Sequence, residues 1–191
     1  MFAPHSDPAG PASAREAWRG ARIRASTAAQ SGCNSFTPNG FGQMLRLATL
    51  GELRLIGPAG ELLRGRRKEL VLLTYLARRA PRPVRRAELV DLLWGDRDEK
   101  RARHSLRQAL LVLRRTVGEA LTIGPDAVAL ASGVVELDLA AFEAAVAEGR
   151  YDEAVGLWGG DFLLDTEDAG GEAYRLWMEA EREHARRRLA K

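Results

Sequence analysis

The sequence predicts a mainly helical α+β fold in which small β elements accompany the helices. Residues 45–57 alternate in the manner of a half-buried strand. Three later segments carry apolar residues at helical spacing, and a strand–turn–strand pattern follows the third. With 191 residues and a hydrophobic fraction of 46%, the chain is long enough to bury a sizeable core.

The first β elements come from the sequence LRLATLGELRLIG. The residues on the expected buried side recur at every second position, broken once at Gly51: Leu45, Leu47, Thr49, Leu53 and Leu55. Gly51 and the Gly57–Gly60 stretch mark turns, which predicts a short antiparallel sheet. The Gly-rich turn is not a phosphate loop, because no Gly-Lys-Ser/Thr follows it.

Three helices are predicted next. Residues 66–80 are apolar on most sides, which is typical of a central core helix, and Pro81 ends this segment. A second helix near residues 85–94 closes with Trp94, whose indole we expect in the core. Asp98 can cap the third helix, residues 99–117.

The third helix has two contrasting faces. One stripe is apolar and must pack on the other helices: Ala102, Leu106, Ala109, Leu110, Leu113 and Val117. The opposite face is polar and basic, with Arg101, His104, Gln108 and Arg115 at its centre and Lys100, Ser105 and Arg107 beside them. At roughly 1.5 Å per residue the helix is about 28 Å long, which fits along a DNA major groove.

The charge pattern favours DNA as the partner of this helix. Residues 64–115 hold sixteen Lys and Arg against six Asp and Glu, and no acidic residue occurs between residues 100 and 118. An ordinary solvated face would mix both signs, whereas a one-sign face repels itself unless a polyanion is near. Arg can read guanine, Gln can read adenine and Ser can read either, while flanking cations meet phosphates.

A hairpin completes the pattern. Residues 121–123 and 128–130 flank Gly-Pro-Asp-Ala, and the order of strands, three helices and hairpin is that of a winged helix, a helix-turn-helix variant. We therefore predict a DNA-binding domain over residues 44–133 and a partial helical domain over residues 134–191. Residues 1–43 are rich in Ala, Gly, Pro and Ser and are predicted to be disordered, with Met44 as an alternative translation start.

Several functional classes find no support. No apolar run reaches the roughly 20 residues of a membrane span, and no secretory signal is present, so we expect a cytoplasmic protein. An organellar transit peptide at the N-terminus is the alternative. The single Cys33 excludes an internal disulfide and a multi-cysteine zinc site. Neither a metal or cofactor site nor a nucleophile–base arrangement is evident, so an enzyme is not expected.

Two stretches, ELVDLLW and SLRQALLVLRR, resemble the OmpR-type winged helix of the Streptomyces antibiotic regulatory protein (SARP) family. The later stretch LDLAAFEAAVAEGRYDEAVGLWGGDFL is similar to the bacterial transcriptional activator domain that follows it. The resemblance covers about residues 45–190. It implies an activator that binds direct repeats at promoters and contacts RNA polymerase, and we also expect a homodimer on DNA.

The resemblance also assigns residues. It implies that the loop of residues 95–98 faces polymerase through Asp96 and Asp98. It makes three cations at a helix start candidate phosphate contacts: Arg66, Arg67 and Lys68.

The chain departs from the family pattern in three places. Arg85 stands where a Ser or Thr cap is common, which weakens the second helix by about 1 kcal/mol. Leu111 and Val112 lie toward the side of the third helix that is expected to contact bases, where polar residues are frequent in the family. There they could touch thymine methyl groups or cover a neighbouring subunit. The wing, residues 121–131, has no Lys or Arg, which argues against a strong minor-groove contact.

The tail, residues 134–191, is expected to be a truncated bacterial transcriptional activator domain, and part of it resembles the middle of a tetratricopeptide hairpin. In GRYDEAVGL, Gly149 is expected to turn the chain, and Tyr151 and Ala154 to pack two helices together. One hairpin cannot bury its own apolar face. Three aromatic residues are therefore expected to be partly exposed or to cover the winged helix: Trp158, Phe162 and Trp177. The alternative function is a protein-interaction scaffold whose winged helix no longer binds DNA.

Overall fold

The computed structural model describes residues 44–190, so the disorder predicted for residues 1–43 concerns residues outside this range. The strands are β1 (Leu45–Ala48), β2 (Arg54–Gly57), β3 (Gly60–Leu62), β4 (Val84–Arg85), β5 (Leu121–Ile123), β6 (Ala127–Leu130) and β7 (Val135–Leu137). The α-helices are α1 (Arg67–Arg79), α2 (Arg86–Trp94), α3 (Glu99–Val117), α4 (Asp138–Ala147), α5 (Tyr151–Leu157) and α6 (Glu172–Leu189). These elements form the mixed, mainly helical fold that the sequence predicts.

The N-terminal strands form the predicted antiparallel sheet, and a fourth strand joins it. The strand order is β3-β2-β1-β7, with Leu47 opposite Leu55 and both side chains fully buried. Strand β7 pairs with β1 in parallel, so that Leu137 lies opposite Leu47. Residues 134–191, predicted to be helical, therefore begin with a strand. A strand of three residues is too short to show an alternating pattern in the sequence, and it forms here because the edge of β1 is free to pair with it.

The three helices of the first domain meet around a common core. All seven residues from Leu70 to Leu76 of α1 are buried, as expected for a helix apolar on most sides. The six stripe residues of α3 are also buried, and the predicted ends of this helix coincide with the observed ones. Trp94 is 3% exposed and fills the core where α2 ends, as predicted.

The start of α2 is capped by the hairpin and not by a side chain. Arg85 makes no capping hydrogen bond, as its residue type predicts. The amide of Arg86 instead donates to the Asp126 carbonyl at 2.8 Å, and the Arg86 guanidinium donates to the Gly124 carbonyl at 3.2 Å. A backbone carbonyl of the wing turn thus satisfies one of the free amide donors at this helix start.

The hairpin is part of a second, three-stranded sheet. Strands β5 and β6 pair as predicted, and β4 adds to the outer side of β6 to give the order β4-β6-β5. The predicted domain boundary between residues 133 and 134 falls in the turn that joins β6 to β7.

The tail packs on the first domain. Phe162 is fully buried and pairs with Leu50 through an isolated β-bridge. The Trp177 ring meets Tyr75 of α1 edge-on at 4.8 Å and Phe162 at 5.6 Å, whereas Trp158 contacts Phe142 within the tail. Of the two alternatives for these aromatic residues, covering the winged helix is confirmed for Phe162 and Trp177.

The helical hairpin of the tail differs in one contact from the prediction. Gly149 turns the chain with a φ of 73°, and Ala154 is buried, as expected. Tyr151, however, is 56% exposed, so its predicted packing role is wrong. The buried side of the hairpin uses the small residues Ala145 and Ala154, while the phenol ring at the first position of α5 faces solvent.

Candidate nucleic-acid interface

Helix α3 presents its reading face to solvent, the polar and basic face that is predicted to contact DNA. Because its apolar stripe is fixed in the core, the opposite side must face outward. Its predicted DNA-binding side chains are exposed, except that Ser105 is half-buried: Lys100, Arg101, His104, Arg107, Gln108 and Arg115 are the exposed ones. The Asp98 carboxylate accepts a hydrogen bond from the Arg101 amide at 3.2 Å, which confirms the predicted cap of this helix.

The cations of this face are available to a ligand. Within residues 44–190, Lys100, Arg101, Arg107 and Arg115 make no side-chain hydrogen bond or ion pair. The two other arginines of α3 lie toward its flanks and are engaged: Arg103 binds Glu99 at 2.5 Å, and Arg114 binds Glu119 at 2.5 Å. The unpaired positive charge is therefore concentrated on the side of α3 that would enter a groove.

Three further exposed cations were missed by sequence reasoning. Arg82, Arg85 and Arg97 are exposed, and in the described part of the chain none of them has a side-chain partner. Arg85 lies opposite Ala127 of β6, and therefore beside the wing. Its position at the start of α2 was the available signal, since exposed helix starts in such folds lie near the phosphates.

The predicted phosphate contacts at the start of α1 are partly occupied by contacts within the protein. Lys68 donates to the Leu93 carbonyl at 3.1 Å and lies 5.6 Å from the centre of the Trp94 ring. Burial, with a smaller contribution from Arg97, lowers the pKa of Lys68. The Arg67 guanidinium binds Asp168 of the tail at 2.9 Å.

Arg66 lies next to these residues and is more accessible. Its only ion pair within residues 44–190 is with Glu69 at 3.4 Å, and its side chain is 59% exposed. Of the three cations, Lys68 is thus the most deeply engaged, and a phosphate contact by any of them stays a prediction.

The loop of residues 95–98 is exposed throughout. Asp98 uses its carboxylate to cap α3, whereas Asp96 makes no side-chain hydrogen bond or ion pair among the described residues and acts on Lys68 through its charge alone. The tail approaches this loop closely, because the Gly171 amide donates to the Leu92 carbonyl at 3.1 Å near the end of α2. The loop therefore has the tail on one side and the start of α3 on the other.

The wing carries no cation of its own, as the sequence shows, but two arginines hold it from neighbouring helices. Arg86 of α2 binds the Gly124 carbonyl, and Arg114 of α3 binds the Leu121 carbonyl at 2.5 Å. Asp126 at its tip is exposed. The hairpin thus supports α2 and α3 and offers no positive side chain to a minor groove.

Two classes of site are not found in the described chain. Residues 44–190 contain no group of three or more His, Cys, Asp or Glu side chains that could hold a metal ion. Across the same range, no helix combines the length and the apolar character that crossing a bilayer requires.

Comparison with known proteins identifies the region around α3. Residues 60–131, from β3 to just past β6, match the family model described as transcriptional regulatory protein, C terminal. The chain carries the DNA-binding domain of a transcription regulator.

The regulator also shares its fold with a solved structure. It is similar to Mycobacterium tuberculosis EmbR, solved in complex with a low-affinity phosphopeptide, with a TM-score of 0.60 and 23% identity. The similarity covers 76% of this chain and 44% of the EmbR chain, so the regulator corresponds to less than half of that protein. No curated protein sequence matches significantly. The family match and the shared fold support the OmpR-type winged helix that the motifs predict.

Proposed function

We propose that this regulator is a transcription activator that reads promoter repeats in double-stranded DNA by placing α3 in the major groove. One observation carries the proposal: the exposed face of α3 combines four unpaired cations with Gln108 and has no acidic residue beyond its first position. An unpaired cationic helix of this length matches the groove in both shape and charge.

Loss of a base contact and loss of a phosphate contact are expected to change DNA binding in different ways. Arg101 and Gln108 lie near the centre of the face, where base edges are reached, whereas Lys100 and Arg107 lie at its margin. A lost base contact relaxes preference at one position, but a lost phosphate contact weakens binding to all sequences. Since the wing offers no cation, specificity rests on α3.

The test is a fluorescence-anisotropy titration of a DNA site selected from a random pool, with the full chain. We expect Arg101→Ala and Gln108→Ala to reduce discrimination against a single wrong base pair by about tenfold. The matched control is Arg187→Ala, because Arg187 is exposed on α6 and outside the proposed interface. Equal affinity of the unaltered chain for selected and scrambled DNA would refute sequence-specific reading.

Salt dependence tests the cations at the start of α1. If Lys68 meets a phosphate, Lys68→Ala lowers the slope of log affinity against log salt by about 1. If its contact with the Leu93 carbonyl is its main role, the slope stays the same and only the folding stability falls. Arg66→Ala is the informative companion, since the Arg66 side chain is largely exposed.

We also propose that the loop of residues 95–98 contacts RNA polymerase through Asp96. Its carboxylate is exposed and makes no hydrogen bond or ion pair within the described residues, whereas the Asp98 carboxylate caps α3. In transcription assays with purified bacterial polymerase, Asp96→Ala should abolish activation without changing DNA affinity. Asp91→Ala on α2 provides an exposed acidic control. Unchanged activation by Asp96→Ala would rule out this contact.

Two copies of the chain are proposed to occupy adjacent repeats as a homodimer. Analytical ultracentrifugation with DNA of one repeat and of two repeats tests this arrangement. Cooperative loading of two chains on the longer DNA supports it, whereas independent loading with one affinity contradicts it.

A further inference from the structure

Leu111 is an apolar side chain in the middle of the reading face of α3. It is 46% exposed, and its neighbour Val112 is half-buried. One turn earlier on the same face stands Gln108, and roughly 60° separates Gln108 from Leu111 around the helix axis. The face thus presents an amide and a branched aliphatic group side by side.

Base chemistry gives this pair a specific match. In the major groove, adenine offers an acceptor and a donor that an amide side chain can bind together, and thymine is the base with a methyl group. The two bases belong to the same pair. An amide next to an exposed leucine is therefore suited to A·T pairs, since the amide can bind adenine and the leucine can bury a thymine methyl group.

The ends of the face favour a different base. Arg101 and Arg115 are exposed, unpaired and fourteen positions apart, with Gln108 midway between them. At roughly 1.5 Å per residue they are separated by about 21 Å along the helix, or about six base-pair steps. Arginine binds guanine through two acceptors in the groove. Along α3, an arginine suited to guanine is therefore followed by the pair of side chains suited to A·T, and then by a second arginine suited to guanine.

We propose that α3 recognises a segment with A·T pairs at its centre and G·C pairs on both sides, and that Leu111 determines specificity by contacting a thymine methyl group. This inference rests on the proposed function, because it requires α3 to lie in the major groove. It assigns Leu111 to DNA and not to the cover of a neighbouring subunit.

The experiment removes the methyl group alone. A DNA site is selected from a random pool with the full chain, and each thymine is replaced in turn by uracil, which lacks only that methyl. We expect one central replacement to weaken binding about fourfold, the effect of burying one methyl-sized group. Leu111→Ala should bind the thymine and uracil duplexes equally, whereas Gln108→Ala should keep the methyl preference and lose the preference for adenine.

Leu176→Ala is the matched control, because Leu176 is 67% exposed on α6 and should keep full thymine–uracil discrimination. Circular dichroism of Leu111→Ala checks that a surface substitution leaves the fold unchanged. Retained discrimination in Leu111→Ala, or a selected site without central A·T pairs, would overturn the inference while sequence-specific binding stands. If Leu111→Ala removes cooperativity between repeats and not methyl discrimination, Leu111 covers a second copy instead. Failure to select any site would overturn the proposed function as well.

Discussion

The carboxylate of Asp138 accepts hydrogen bonds from both the amide and the hydroxyl of Thr49, which lies 89 residues earlier in the chain. The amides of Leu50 and Leu139 also donate to it, at 2.9 and 2.8 Å. Burial raises the pKa of the Asp138 carboxyl, and these four donors oppose the rise. This one side chain joins the end of β1 to the start of α4, and so connects the N-terminal sheet to the tail.

Replacement of Asp138 by Ala should destabilise the fold by about 3 kcal/mol, because three buried backbone amides lose their acceptor. Urea denaturation measures the loss. Asp138→Asn keeps one acceptor oxygen and should lose less. Asp126→Ala, at an exposed wing position, should change the free energy of unfolding by less than about 0.5 kcal/mol. Equal stabilities of Asp138→Ala and Asp126→Ala would contradict the connecting role.

Arg78 of α1 binds two helices of the tail at once. Its guanidinium lies 2.9 Å from Glu143 of α4 and 2.7 Å from Glu181 of α6, and all three side chains are less than 20% exposed. Arg78→Ala leaves two partly buried carboxylates without their arginine partner and should cost about 2 kcal/mol. Arg187→Ala, which removes an exposed pair at 3.8 Å, should be almost neutral. Thermal unfolding of both variants measures how much the ion pairs of Arg78 contribute to the stability of the fold.

Gly170 lies where a larger residue has no room. A Cβ atom there would be 2.6 Å from the Leu92 carbonyl oxygen and 2.5 Å from the Tyr174 Cβ. Gly170→Ala should therefore push the tail from the end of α2 and destabilise the fold by about 2 kcal/mol. At Gly171 the nearest atom would be 3.7 Å away, so Gly171→Ala should cost less than about 1 kcal/mol. A smaller effect at position 170 than at position 171 would show that the tail does not pack here.

High pH should weaken the fold through two buried phenols. Burial and the hydrogen bond with Glu88 raise the pKa of Tyr75 to about 12, and burial raises that of Tyr174 to about 12. An unfolded tyrosine ionises near pH 10, so between roughly pH 10 and 12 the unfolded chain releases protons that the folded chain retains. Stability should therefore fall as pH rises through this window.

Denaturation midpoints measured from pH 9 to pH 12 test this loss of stability. Tyr75→Phe should flatten the decline, because the variant has one fewer phenol whose ionisation differs between the two states. An unchanged slope in Tyr75→Phe would show that its burial does not control the titration.

The strands and helices up to the wing could be predicted because their signals are local. The period of apolar residues from Ala102 to Val117 fixed both the ends of α3 and its buried side, and Asp98 marked its start. The same period placed Arg101 and Gln108 on the solvent side, so the candidate reading face followed from the sequence. The side chain of Tyr151 was misplaced, because a helix start has no fixed side until its packing partner is known.

Other features depended on residues far apart in the chain. The start of α2 hinted at a role for Arg85, but that Arg82, Arg85 and Arg97 lack acidic partners could not be predicted, since an arginine in a sequence gives no sign of whether an acidic partner will reach it. The same limit applied to Lys68, whose ammonium turns to the end of α2.

The winged helix, the apolar stripe of α3 and the acid-free face opposite it follow from the amino-acid sequence alone, because helical and strand periods are set by neighbours a few residues apart. The packing of distant segments sets three other features: which cations remain unpaired, the pairing of β7 with β1, and the contacts of Asp138 and Arg78 that hold the tail against the winged helix. These contacts span from about 65 to more than 100 residues of chain. Their geometry comes from the packing of the whole molecule, which no local pattern contains.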